Sequence, residues 1–142
     1  MSLKRIKSLV DELTTLHITK GVQPSDLADN IYDDIYLDSQ SRRESGKIVF
    51  EISFLEAEDH TPPSKITMRY TYNLERYLMR IEQKISSRKF SIQWDRSHCI
   101  GEKLDQLDAL LALELPREKV SKIISTLPND FLKRSPRLKL VA

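Results

Sequence analysis

The stretch that decides the fold is Ile48-Val49-Phe50-Glu51-Ile52-Ser53-Phe54-Leu55. Ile48, Phe50, Ile52 and Phe54 alternate with Val49, Glu51, Ser53 and Leu55, the period of two of a strand with one strongly buried face. Ile66, Met68, Tyr70 and Tyr72 repeat the alternation against Thr67, Arg69 and Thr71. Between the two runs, residues 56–64 carry Pro62-Pro63 and read as a connection. Its length, about nine residues, suits a loose antiparallel hairpin.

Downstream the pattern becomes helical. Asn73 is a suitable N-cap, and Leu74, Tyr77, Leu78, Ile81 and Ile85 form the apolar stripe of a helix running to about Ser87. Phe90, Ile92 and Trp94 then make a short third strand. Upstream, Ser39 to Gly46 (SQSRRESG) contains no apolar residue and reads as a loop. Before it, Pro24-Ser25-Asp26 opens a helix carrying Leu27, Ile31 and Ile35 on one stripe, with Asp26, Asp29, Asp33 and Asp34 on the other side. Leu3, Ile6, Leu9, Val10, Leu13 and Leu16 mark an amphipathic helix over residues 3 to 17. Three short helices close the chain: one along Leu104, Leu107, Leu111 and Leu115, and two introduced by Pro116 and Pro128 as first helical residues. The expected architecture is α+β, in the order α-α-β-β-α-β-α-α-α. A small antiparallel sheet has helices on one face, within a single domain over residues 1–134, followed by a basic flexible tail at 135–142.

Composition places the chain among ordinary folded proteins. It has 142 residues, 39% hydrophobic and 31% charged, enough for one core. No apolar run is long enough to span a bilayer, and Asp11 and Glu12 interrupt the segment where a secretory signal would need its apolar stretch. Cys99 is the single cysteine, so no internal disulfide forms and a reducing compartment, the cytoplasm, is expected. The net charge of +2 conceals a dipole. From Met1 to Ser64 seven Lys and Arg stand against twelve Asp and Glu, a net −5; from Lys65 to Ala142 sixteen stand against nine, a net +7.

Signatures of chemistry are sparse. Gly21, Gly46 and Gly101 are the only glycines and sit apart, so no phosphate-cradling loop is present. His98-Cys99 places a base beside a thiol, but neighbours in an extended segment point to opposite sides. One cysteine and three scattered histidines lack zinc-site spacing. Asp29/Asp33 and Asp34/Asp38 are carboxylate pairs four apart, opposite the apolar stripe and therefore facing water. The expectation is a protein that is not an enzyme and holds no metal and no cofactor.

The basic segment speaks most clearly. Between Lys65 and His98 eight Lys and Arg stand against three acids. Arg76, Arg80 and Lys84, spaced by four, line the outer side of the expected helix, with Arg69 and Arg88 beside them. Such a face suits an acidic protein groove or a phosphate backbone. The aromatic residues Phe50, Phe54, Tyr70, Tyr72, Phe90 and Trp94 share the faces of the apolar residues and read as core rather than as base-stacking platforms. The functional expectation is therefore a protein-protein interaction module, a small regulator, adaptor, chaperone or inhibitor, whose partner-binding residues are Arg69, Arg76, Arg80, Lys84 and Arg88. Its expected partner is another protein with an acidic surface. A nucleic-acid-binding regulator is the alternative; a homodimer is allowed, and no membrane is involved.

Overall fold

The computed structural model describes residues 2–57, 60–113, 115–135 and 138. In chain order the elements are α1 (Ser2–Ile18), α2 (Pro24–Leu27), a 3-10 turn (Ala28–Tyr32), then β1 (Tyr36–Glu44), β2 (Lys47–Glu56), β3 (Ser64–Tyr72), β4 (Leu78–Ile85) and β5 (Ser91–Asp95). Three helices follow: α3 (Arg96–Leu111), α4 (Arg117–Ile124) and α5 (Asn129–Leu132). The fold is α+β with an antiparallel sheet. The chain gathers into two compact units, residues 20–96 and residues 1–19 with 97–142.

In the first unit all five strands pair antiparallel with their chain neighbours, in the spatial order β1-β2-β3-β4-β5. The two strands read from alternation are present as β2 and β3, with Ile48 opposite Tyr72, Phe50 opposite Tyr70 and Ile52 opposite Met68. Two further strands replace elements expected otherwise. Ser39 to Gly46 is not a loop: all but its last two residues belong to β1, and Ser45 and Gly46 form the tight hairpin turn into β2, with φ of +50° and +75°. Positive φ at both central residues matches the right-handed twist of the flanking strands. β1 lacks alternation because it is an edge strand, exposed along most of its length, and charged edges discourage further pairing.

The expected helix over residues 74–87 is a turn followed by β4. Asn73 does cap backbone amides: its Oδ1 accepts from Glu75 N and Tyr77 N, each at 3.0 Å. The result is a tight connection with Arg76 at φ +74°, not a helix start. Register shifts at Thr71/Tyr72 and Ile81/Glu82 disturb the alternation of this region, which is why its apolar spacing imitates a helix. The second shift also divides the third expected strand. Trp94 pairs with Ile81 and is half-buried, while Ile92 pairs with Glu82 on the opposite face and is 58% exposed. The second expected helix is shortened to α2 and the 3-10 turn, since the chain has turned into β1 by Tyr36.

The second unit holds the helical core. Ile6, Leu9, Val10 and Leu13 of α1 pack with Ile100, Leu104 and Leu107 of α3, with Val120 and Ile124 of α4, and with Leu127, Phe131 and Leu138. Pro116 and Pro128 stand at N-cap positions, one residue ahead of the first helical residue. The tail does not begin loose. Ser135 is buried and donates to the Asp108 carboxylate at 2.9 Å, and Leu138 is fully buried in the core; residues 136, 137 and 139–142 lie outside the described set.

Gly21 enters the sheet unit at φ +92°, and a Cβ there would lie 2.8 Å from Leu78 Cβ. Gly46 also has positive φ, but its Cβ would meet open space. Gly46→Ala is expected to cost about 1–2 kcal/mol from backbone strain alone. Gly21→Ala should cost clearly more, because the contact with Leu78 adds to the same strain. Urea unfolding of the two variants checks the order; equal losses would contradict the close approach.

Candidate functional site

Directly paired residues share a face, so the registers assign every strand residue. One face of the sheet is a ladder of charges. Glu51, Arg69 and Glu82 lie side by side on β2, β3 and β4. Arg69 donates from Nε and Nη2 to the two Glu82 oxygens at 3.0 and 2.9 Å. Its Nη1 lies 3.9 Å from Glu51 Oε1, which also accepts from Arg42 Nη2 of β1 at 3.2 Å. Arg42 Nε reaches Glu44 at 2.9 Å, and Arg80 Nε reaches Asp95 at 3.1 Å. The Arg69 guanidinium stacks 3.8 Å from the Phe90 ring centroid, with the Lys84 ammonium at 5.1 Å. Phe90 thus serves the charged face, contrary to its expected place in the apolar core. Hydrogen bonds to Glu82 raise the already high Arg69 pKa further, so the cation is permanent.

This ladder relocates the five basic residues singled out from the sequence. Arg69, Arg80 and Lys84 do share a face, but of strands. A spacing of four keeps side chains together in a strand as well as in a helix, which is why the grouping survives the wrong element. Arg76 and Arg88 do not join them. They lie in the turns before and after β4, separated by a strand of eight residues, about 25 Å long. Arg69 and Arg80 are already engaged with acids. The second helix does not neutralise them either: the partner of Arg80 is Asp95, and no ion pair joins Asp29, Asp33 or Asp34 to this face among the described residues.

The other face carries Ile48, Phe50, Ile52 and Phe54 against Tyr72, Tyr70, Met68 and Ile66. Here the chain leaves a groove of about 210 Å³. Ile52, Phe54, Met68 and Tyr70 form its floor, Ile35 and Tyr36 a wall, and Asn30 and Asp33 its polar lip. Phe50 and Tyr70 meet at 6.5 Å between centroids, and Tyr36 hydroxyl bonds Ser39 Oγ at 2.8 Å. Where β1 crosses this face it presents Tyr36, Ser39, Ser41 and Arg43 opposite Phe54, Ile52, Phe50 and Ile48. Ile35 on the wall is 50% exposed, and Ile31 and Tyr32, between the lining residues Asn30 and Asp33 in the chain, are 49% and 82% exposed. Asp33, expected to face away from the apolar stripe, instead lines the groove together with Ile35. The sequence does not mark Asn30, Ile35 and Tyr36 as site residues, and it offers Asp33 only as a water-facing carboxylate paired with Asp29. The available signal was compositional: residues 21 to 41 hold five aspartates and no Lys or Arg.

The remaining candidates are scattered. His98 and Cys99 lie on α3 rather than in an extended segment, with His98 Nε2 3.1 Å from Glu102 and Cys99 half-buried. His17 packs edge-on against Phe131 at 5.8 Å. Among the described residues no three His, Cys, Asp or Glu side chains gather as metal ligands, and no helix is long and apolar enough to cross a membrane.

Two predictions follow from these faces. Glu82→Ala strips Arg69 of two charge-assisted hydrogen bonds in a poorly exposed position and is expected to cost about 2–3 kcal/mol. Replacing both partners (Arg69→Met with Glu82→Leu) should recover most of that loss in urea unfolding. Burial pushes the hydroxyls of Tyr70 and Tyr72 above the ordinary value of 10.0. A raised value in the folded state means the neutral form is favoured there. The associated stability is fully present below pH 10.0 and is lost as pH rises from there through the folded-state values. The double variant Tyr70→Phe, Tyr72→Phe should therefore lose less stability than wild type between about pH 9 and pH 11, whatever its starting stability. Equal alkaline losses would show that neither hydroxyl is held neutral.

Comparison with known proteins returns no matching family model, no matching curated protein and no matching solved structure, so the functional reading stands on the faces of this sheet.

Proposed function

We propose that the chain is a protein-interaction module without chemistry of its own, which seats apolar side chains of a partner protein in the groove on the aromatic face of its sheet. The observation that carries this reading is the groove itself, an open apolar recess floored by Ile52, Phe54, Met68 and Tyr70, with exposed Ile31 and Tyr32 between its lining residues Asn30 and Asp33 in the chain. Recesses of this kind, with a few polar groups at the lip, are where partners and ligands gain affinity. Regulator, adaptor, chaperone and inhibitor all remain within this class. The basic residues support a docking role less well, because Arg69 and Arg80 are held by Glu82 and Asp95. A nucleic-acid regulator is disfavoured for the same reason, and the groove's own lip carries Asp33, which repels phosphate.

The test is selection from a displayed library of random peptides, followed by affinity measurement on variants. Selected peptides should share apolar residues. Their binding should weaken at least tenfold in Met68→Glu, a change of about 1.4 kcal/mol. Lys119→Glu, on exposed α4 surface, serves as the control and should bind normally. Met68→Ala, which keeps the floor apolar, guards against misfolding and should bind more weakly than wild type but better than Met68→Glu. Peptides indifferent to both Met68 variants, with unfolding curves intact, would refute the groove as the docking site.

A further inference from the structure

The groove is set in a strongly acidic piece of chain. Asp33 lines it, Asp29 adjoins the lining residue Asn30, and Asp34 lies between the lining residues Asp33 and Ile35. All three are exposed, and among the described residues none is paired with a cation. The nearest basic residues along the chain are Lys20 and Arg42. Lys20 is spent elsewhere, its Nζ donating to Glu75 O at 3.0 Å and lying over the Tyr77 ring. Arg42 is held by Glu44 and Glu51 on the charged face. Asp29 and Asp34 are each one residue, about 3.8 Å between Cα atoms, from a lining residue, a separation well inside the screening length of about 8 Å. The two faces of the sheet therefore differ. On one the arginines are paired with acids, while on the other the groove's carboxylates have no ion-pair partner among the described residues. The basic residue that β1 adds to that face, Arg43, stands opposite Ile48, four residues along β2 from the groove's Ile52.

We propose that the groove's partner is a basic amphipathic segment of another protein, with apolar side chains seated on Ile52, Phe54, Met68 and Tyr70 and flanking Lys or Arg residues opposite Asp29, Asp33 and Asp34. This rests on the reading of the groove as the docking site and adds the chemistry of what it docks. Charge complementarity selects among apolar partners. An acidic or phosphorylated segment is repelled as it approaches, whereas a basic one gains encounter rate and register from the same carboxylates. It also reverses the polarity expected from the basic segment, which pointed to an acidic partner.

Three synthetic fluorescent peptides of equal length test it: alternating Lys and Leu, alternating Glu and Leu, and alternating Lys and Ser. Binding is read by fluorescence anisotropy to the full chain, at about 50 and about 200 mM salt. The Lys/Leu peptide should bind at least tenfold more tightly than either of the others and weaken several-fold at the higher salt. The triple variant Asp29→Asn, Asp33→Asn, Asp34→Asn should lose most of that preference and its salt dependence, and Met68→Glu should lose apolar binding. Equal binding of the Lys/Leu and Glu/Leu peptides, both sensitive to Met68→Glu, would keep the docking site and overturn its basic specificity. Lys/Leu binding that ignores Met68→Glu would overturn both. Equal binding of Lys/Ser and Lys/Leu would reduce the surface to a plain charge attraction and also overturn the proposal. Concentration-dependent self-association that Met68→Glu abolishes, with no peptide bound, would assign the groove to a second copy of the chain.

Discussion

The fork of Arg69 on Glu82 sets the register on which the sheet depends. A guanidinium offers two parallel donors in a fixed plane, and both Glu82 oxygens accept them, at 3.0 and 2.9 Å. That geometry exists in one pairing of β3 with β4. Slipping either strand by one residue would move its whole set of side chains to the other face. With Arg69 opposite Glu82, Tyr70 must face Ile81 and Met68 must face Gln83. The aromatic face, and the groove within it, are thus the reverse side of an ion-pair ladder. Such pairs contribute modestly to net stability once desolvation is counted. Here the ladder's value is in specifying which way every neighbouring side chain points.

The ladder also divides the chain's charge. With Arg42, Arg69 and Arg80 drawn onto acids of the same face, Asp29, Asp33 and Asp34 have no ion-pair partner among the described residues. The dipole visible in the sequence, acidic first half against basic second half, is therefore not cancelled by docking one half on the other within the sheet unit. It is resolved on one face by pairing and left open on the other. Beside Phe54, Met68 and Tyr70 the open charge borders an apolar recess, and polarity and shape then restrict the same set of partners.

Legibility followed burial. β2 and β3 lie in the middle of the sheet, and their alternation was plain because one face of each is apolar along its whole length. The stripes of α1 and α3 through α5 were plain because those helices share one dry core. β1 was unreadable as a strand since an edge exposed on both sides imposes no period. Its only signal was the Ser45-Gly46 turn. β4 imitates a helix for the opposite reason. Leu74, Tyr77, Leu78, Ile81 and Ile85 satisfy a helical spacing, and only tertiary pairing with its register shifts shows that Leu74 and Tyr77 belong to a turn. The basic grouping outlived that error in part, because an even spacing preserves sidedness in strands. The groove was hidden because its wall comes from the 3-10 turn and the start of β1, elements with no periodic signature.

Connectivity gives the two units different histories as the chain is made. Each strand pairs with the one before it, so the sheet grows by short local closures and can assemble in step with synthesis. The helical core has no such option. Leu9 and Leu13 must wait for Ile100 and Leu104, roughly 90 residues later, which at ribosomal rates is on the order of 5–20 s. Throughout that interval the apolar stripe of α1 lacks the helices that cover it in the folded core. It is therefore a segment whose burial waits on late-made partners, unlike any strand of the sheet.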